Sequence, residues 1–169
     1  MLQLELRVMR TFKVMNLKES EKLHNQFPQL KNKDCDLEDF PFNARVCIFD
    51  HFLNYNEAIE LIDNVSKVER IQRDLRWSKL YQLIIQEFDV YMVKYRGGKV
   101  IFKAPRSPEL LQQRLDNMDD AGHVDFVIPA LGIWYQQYYD DTHLVCYSDE
   151  QNLVPFLKVV NLSGLFWLK

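Results

Sequence analysis

A chain of 169 residues, 47% hydrophobic and 27% charged, has the length and composition of one globular domain that buries a core without disulfide or metal staples. Its formal net charge of −3 argues against whole-protein attraction to nucleic acid or anionic lipid, and no run approaches the roughly 18 apolar residues of a membrane span. Five glycines beside eight tyrosines and eleven phenylalanines exclude a flexible linker protein.

Leu2, Leu4, Leu6 and Val8 alternate with Gln3, Glu5 and Arg7, the period of a half-buried strand. Charge within this pattern is unlike a secretory leader. Met9 offers an alternative start. Leu17–Gln26 reads as a short polar helix stopped by Pro28, and Lys31–Asn43 as a loop. Ala44–Asp50 is β-rich and short, an inner strand. Asn54 or Asn56 caps a helix whose Ala58, Ile59, Leu61, Ile62 and Val65 form an apolar face. A second helix is predicted over Val68–Gln86, with Ile71, Leu75, Leu80, Leu83 and Ile84 as its core stripe. Arg70, Arg73, Arg76 and Lys79 then form a solvated basic flank.

Phe88–Lys103 is the clearest hairpin. Gly97-Gly98 accepts the positive φ of a two-residue type I′ turn, which sets Arg96 against Lys99, Tyr95 against Val100 and Val93 against Phe102. Ser107-Pro108-Glu109 opens the next helix with a cap, a first-turn proline and a dipole-matched acid. Val124–Ile128 is a strand. Ile133–Tyr139 and His143–Tyr147 form a second hairpin around Asp140-Asp141-Thr142. The last helix starts from Ser148 with Gln151 as a capping box, or later from Asn152 with Pro155 in its first turn. Gly164 ends it, and Leu165–Leu168 is a closing strand. Hairpins predominate. The expected fold is a single α+β domain over 1–169, a mainly antiparallel sheet with helices packed on one face.

The charge is unevenly distributed. Asn64 to Arg114 holds eleven Lys or Arg against five acids, whereas Asp119 to Phe156 holds seven acids and neither Lys nor Arg. Two readings stand: solvated faces segregated by chance, or an acidic docking face for a basic partner. Trp134, Tyr135, Tyr138, Tyr139 and Tyr147 share the acidic stretch. Strand alternation puts Ile133, Tyr135 and Gln137 on one side and Trp134, Gln136 and Tyr138 on the other. One side is expected to fill the core and the other to face solvent or a partner, where Tyr and Trp supply interface hot spots.

No nucleophile elbow, paired Cys and His or phosphate-binding glycine loop is present. Asp140, Asp141 and His143, with His123 and Asp125, superficially suggest a base or a ligand set. A turn with solvated carboxylates is the plainer reading, and no catalytic, cofactor or metal residue is assigned. Cys35, Cys47 and Cys146 lack metal spacing and point to a reducing compartment, hence to the cytoplasm.

Pro129-Ala-Leu-Gly-Ile, Tyr139-Asp-Asp-Thr, Asn152-Leu-Val-Pro-Phe-Leu and Gly164-Leu-Phe-Trp-Leu together resemble small bacterial proteins. Some of these look like immunity proteins encoded beside polymorphic or contact-dependent-inhibition toxins. The resemblance covers about a quarter of the chain and carries no catalytic residue across. It implies a non-enzymatic inhibitor that occludes the active site of a cognate toxin, often a basic nuclease. The expected partner-binding face comprises Trp134, Tyr138, Tyr139, Asp140, Asp141, Asp149 and Glu150. Two alternatives stand beside it: an enzyme assembled in space around Asp140, His143 and His123, and a nucleic-acid module using the basic 67–106 region with Tyr91 and Tyr95.

Overall fold

The computed structural model describes residues 11–31, 37–117, 124–138 and 140–169. The chain folds as α+β, with an eight-stranded antiparallel sheet and helices packed against it. The strands are β1 (Phe12–Val14), β2 (Phe42–Cys47), β3 (Tyr91–Arg96), β4 (Lys99–Pro105), β5 (Asp125–Ile128), β6 (Ile133–Gln136), β7 (Thr142–Tyr147) and β8 (Phe166–Leu168). Their order across the sheet is β1-β4-β3-β5-β6-β7-β2-β8. The strand expected at Leu2–Val8 lies outside the described residues.

Local chemistry sets the hairpins. Gly97 and Gly98 have φ of 56° and 76°, and β3 pairs β4 with Val93 opposite Phe102 and Tyr95 opposite Val100. That is the register a two-residue I′ turn dictates. β2 reaches its place differently. It inserts between β7 and β8, pairing Ala44 with Val145 and Val46 with Trp167, a long-range pairing that turn chemistry cannot specify.

The helices are α1 (Leu17–Gln26), α2 (Tyr55–Ala58), α3 (Lys67–Glu87), α4 (Pro108–Asp116) and α5 (Val154–Leu162). α2 continues into a single π-helical stretch, Ile59–Asp63. Asn16, Asn54, Ser66 and Ser107 each accept a backbone N–H from the third residue beyond, so four helices start at a side-chain cap. For α5, Asp149 accepts the Gln151 N–H and opens a 3-10 turn, and the α-helix follows with Pro155 in its first turn. The α-helix thus begins near the later of the two predicted starts, with Pro155 in its first turn where proline needs no hydrogen-bonded N–H, but neither Ser148 nor Asn152 caps it: its N-cap, Leu153, makes no side-chain cap bond.

The sheet separates two apolar clusters. On one face α3, α4 and α5 contribute Trp77, Leu80, Ile84, Leu111, Leu115, Phe156 and Val160, packed on Val46, Met92, Phe126, Ile133, Tyr135 and Val145. On the other, α1 and the chain after it lay Leu23, Phe27, Leu30 and Phe40 over Val93, Phe102, Val127, Trp134, Leu144 and Cys146. Three helices thus share the expected face, while α1 covers the opposite one. With both faces covered, β5 is buried along its whole length and β6 and β7 nearly so. Such strands read as near-continuous apolar runs rather than clean alternation.

The amphipathic face of α3 runs through Arg73, Trp77, Leu80, Tyr81 and Ile84, its buried residues. Ile71 and Leu75, expected in the core stripe, are each 58% exposed. The stripe keeps helical spacing but includes an arginine, which a reading by hydropathy places outside. In the helical stretch 55–63 no residue is buried, so the apolar face expected there does not enter the core.

Candidate functional site

The site is built where the turn before β7 meets the first half of α3. Asp141 is the one described non-glycine residue with positive φ, 58°, a conformation that Asp and Asn tolerate better than other side chains. Its carboxylate is turned inward and accepts from Arg70 at 3.0 and 2.9 Å, from Arg73 at 3.0 Å and from the Trp77 indole N–H at 3.2 Å. Asp141 and Arg73 are 4% and 3% exposed, and Arg70 is about one-third exposed at its side chain. Arg73 also donates to Glu69 at 3.0 Å and to the Leu61 carbonyl at 2.7 Å, and its guanidinium lies 5.0 Å from the centre of the Phe49 ring. Burial pulls the Arg73 pKa down, but the bonds to Glu69 and Asp141 outweigh it and hold the group cationic.

Next along β7, His143 is 2% exposed. Its ring stacks on Trp77 with centres 3.7 Å apart, and Nδ1 meets the Tyr135 hydroxyl at 2.7 Å. Burial lowers its pKa to about 3, and a hydrogen bond with the Tyr138 backbone only partly opposes the shift. The imidazole is therefore neutral at pH 7, and Tyr135 donates to it. Tyr135 and Tyr81 are fully buried and burial pushes both phenols up. The Gln137 side chain donates to the Leu115 carbonyl at 3.1 Å and also bonds Tyr81.

These groups back a cleft of about 530 Å³. Trp77, Tyr81, Tyr138 and His143 give it aromatic walls, and Ile71, Leu75 and Leu115 add apolar surface. Arg70, Asp74, Asp116 and Asp141 are its charged lining. Asp74 and Asp116 stand exposed at the mouth, and Asp116 accepts from the Gln112 amide at 3.0 and 3.1 Å. The lining carries three carboxylates and one guanidinium. Asp141 is satisfied by Arg70 and Arg73, which leaves Asp74 and Asp116 as the exposed carboxylates of the lining.

Of the seven residues expected on one docking face, the six described do not share one exposed surface. Trp134 is 2% exposed and stacks on Phe40 in the second core, centres 5.3 Å apart. Asp141 is interior. Neither is available to a partner: α1 and the chain after it cover Trp134 on its side of β6, and α3 covers Asp141. Tyr138 is partly buried and lines the cleft. Asp140 is partly buried and accepts the Thr142 N–H at 3.2 Å; burial raises its pKa. Asp149 and Glu150 are exposed near α5, where Asp149 caps the turn and Glu150 pairs with Lys169. Tyr139 lies outside the described residues.

The solvated turn expected at Asp140-Asp141-His143 is overturned for two of its three residues. A buried aspartate needs a partner, and α3 brings two arginines to it. The basic flank is corrected in the same stroke, since Arg73 and most of Arg70 belong to this network. Part of the sequence's charge asymmetry is thus neutralised within the chain. Signals for the network existed in Arg70, Arg73 and Trp77 at helical spacing of three and four, but nothing local linked them to Asp141.

The two alternatives fare unequally. A general base works best with a pKa near the operating pH, and His143 is far below it, while His123 lies outside the described residues. For a nucleic-acid module, α3 packs on one face of the sheet whereas Tyr91 packs on the other cluster. Tyr95 shares the Tyr91 face and donates to Asp125 at 3.1 Å, so these tyrosines and the α3 cations do not form one surface. Among the described residues no group of three His, Cys, Asp or Glu is placed to hold a metal, and no helix is long and apolar enough to cross a membrane. Cys47 and Cys146 are buried and not joined in a disulfide; Cys35 lies outside the described residues.

An α+β protein with an acidic, aromatic-walled cleft is what fold and site define. Compared with protein-family models, curated proteins and solved structures, the chain matches none.

Proposed function

We propose that the chain is a cytoplasmic immunity protein that binds a cognate bacterial toxin domain, basic and nuclease-type, and neutralises it by occluding its active site. The role is non-enzymatic, and the cleft replaces the strand face as the docking surface. The observation that supports this reading is the cleft lining: Asp74 and Asp116 at the mouth, aromatic rings behind them, and Ile71 and Leu75 exposed on α3. A partner's Lys or Arg side chain entering there meets carboxylates first and ring faces next, which suits a cation. Surrounding apolar contacts then supply affinity, and complementary charge accelerates encounter.

The test is co-expression with the C-terminal domain of the protein encoded immediately upstream, followed by calorimetric titration of the two purified proteins. Rescue of growth and tight, salt-weakened binding are expected, with Asp74→Lys/Asp116→Lys weakening binding at least about tenfold, roughly 1.4 kcal/mol. Unchanged binding by that variant would remove the cleft from the reading. Failure of the unaltered protein to bind or protect would remove the toxin.

A further inference from the structure

The segment between β2 and α3 is less committed to the core than its apolar content leads one to expect. Phe52, Tyr55 and Ile59 are 58%, 80% and 38% exposed, and neither α2 nor the π-helical stretch after it contains a buried residue. Tyr55 and Ile59 are four apart, so they share one side of the segment. From Val46 to Ser66 the sequence carries Asp50, Glu57, Glu60 and Asp63 but neither Lys nor Arg. His51 bridges two of these acids, 2.6 Å from Asp50 and 3.4 Å from Glu57.

The segment is nonetheless held in shape. Asn54 and Glu57 form a reciprocal capping box, and the stretch ends with the Asn64 amide and side chain both donating to the Ile59 carbonyl. From inside, Arg73 grips the Leu61 carbonyl and faces Phe49, at opposite ends of the segment. Isolated π turns occur frequently at functional sites. This one spans Ile59–Asp63, directly after Tyr55–Ala58.

We propose that residues 50–63 form a docking element for a basic protein partner, one presenting Lys or Arg around an apolar surface. Charge complementarity selects the occupant. A second copy would bring Glu60 and Asp63, beside the His51-bridged Asp50 and Glu57, against the same acids, and an anionic lipid surface is repelled in the same way. A basic protein satisfies the acids and covers Phe52, Tyr55 and Ile59 together. The surface is distinct from the cleft and stands whether or not the partner is a toxin.

The test uses the full chain and a fluorescein-labelled amphipathic helix peptide, with Leu at i, i+3, i+4 and i+7 and Lys on the opposite side, read by anisotropy. Binding weakened by salt is expected. Tyr55→Ser/Ile59→Ser and Glu60→Lys/Asp63→Lys are each expected to lower affinity at least about tenfold. The distant pair Glu21→Lys/Glu87→Lys is expected to change it less than about twofold. Thermal melts check folding, which substitutions at such exposed sites leave intact. No binding by the unaltered protein, or an equal loss from the distant pair, overturns the proposal. So does binding to zwitterionic vesicles in place of the peptide, or a concentration-dependent dimer dispersed by Tyr55→Ser/Ile59→Ser. None of these outcomes involves Asp74 or Asp116, so the cleft reading is decided separately.

Discussion

The Arg73 guanidinium and the Asp141 carboxylate, 68 residues apart in the chain, meet at 3.0 Å inside the protein. Each is buried, and each is fully supplied with further partners: Arg70 and Trp77 for Asp141, Glu69 and the Leu61 carbonyl for Arg73. The pair fixes α3 against the turn before β7 and so shapes the cleft. Removing one member leaves the other charged and buried. Arg73→Ala and Asp141→Ala are each expected to destabilise by about 3–5 kcal/mol. Asp141→Asn, which tolerates positive φ and can still accept from Trp77, is expected to cost less than Asp141→Ala. Urea unfolding of the three variants checks the order.

His143 gives the fold an acid sensitivity. Its folded pKa of about 3 is depressed from an unfolded value of about 6.5, so the unfolded state binds the extra proton. The contribution of neutral His143 is full above about pH 6.5. It declines as pH falls, by about 1.4 kcal/mol per unit, down to the folded value. Between pH 7.5 and pH 5 the loss from this group is about 2 kcal/mol. His143→Gln is expected to flatten that part of the stability curve, measured by urea titration at several pH values against the unaltered protein.

Trp134 is a core residue of the face covered by α1. Truncation to Ala is expected to cost about 3–5 kcal/mol, while variants that remain folded keep whatever affinity the cleft confers. Calorimetry with the upstream toxin domain, at a temperature where Trp134→Phe is folded, separates the two effects. A selective loss of affinity in Trp134→Phe would contradict its placement.

The Gly97-Gly98 turn is expected to show a backbone effect with no packing component. A Cβ at either position meets nothing within 4 Å, yet both have positive φ. Gly98→Val is expected to destabilise by about 1–2 kcal/mol, and Gly97→Asn, the residue most at ease in this turn, by far less. Thermal denaturation distinguishes them.

The contrast between this turn and the Arg73–Asp141 pair explains what the sequence could disclose. Hairpin register, the caps at Ser107 and Asn54, the bounds of α1 and the end of α5 at Gly164 follow from residues within a few positions of one another. Each was legible. The insertion of β2 between β7 and β8 was not, because sheet order is decided by packing at long range. Trp134 was placed on an exposed face for a related reason. Period-two alternation tells which residues share a side of β6, but whether that side meets water depends on α1, more than a hundred residues earlier. Asp141 was misread because a charged residue in a turn is ordinarily solvated, and only its distant cations make burial affordable.

β2 joins parts of the chain that are made far apart in time. Its residues leave the ribosome early, yet both strands that flank it are made much later, one of them at Phe166–Leu168. Until then Ala44 and Val46 have no place to hide, and the nascent chain carries an unpaired apolar strand that invites chaperone capture or aggregation. The sheet closes only after Phe166–Leu168 have emerged, and chains stalled before Phe166 are expected to be more protease-sensitive than chains extended beyond Leu168.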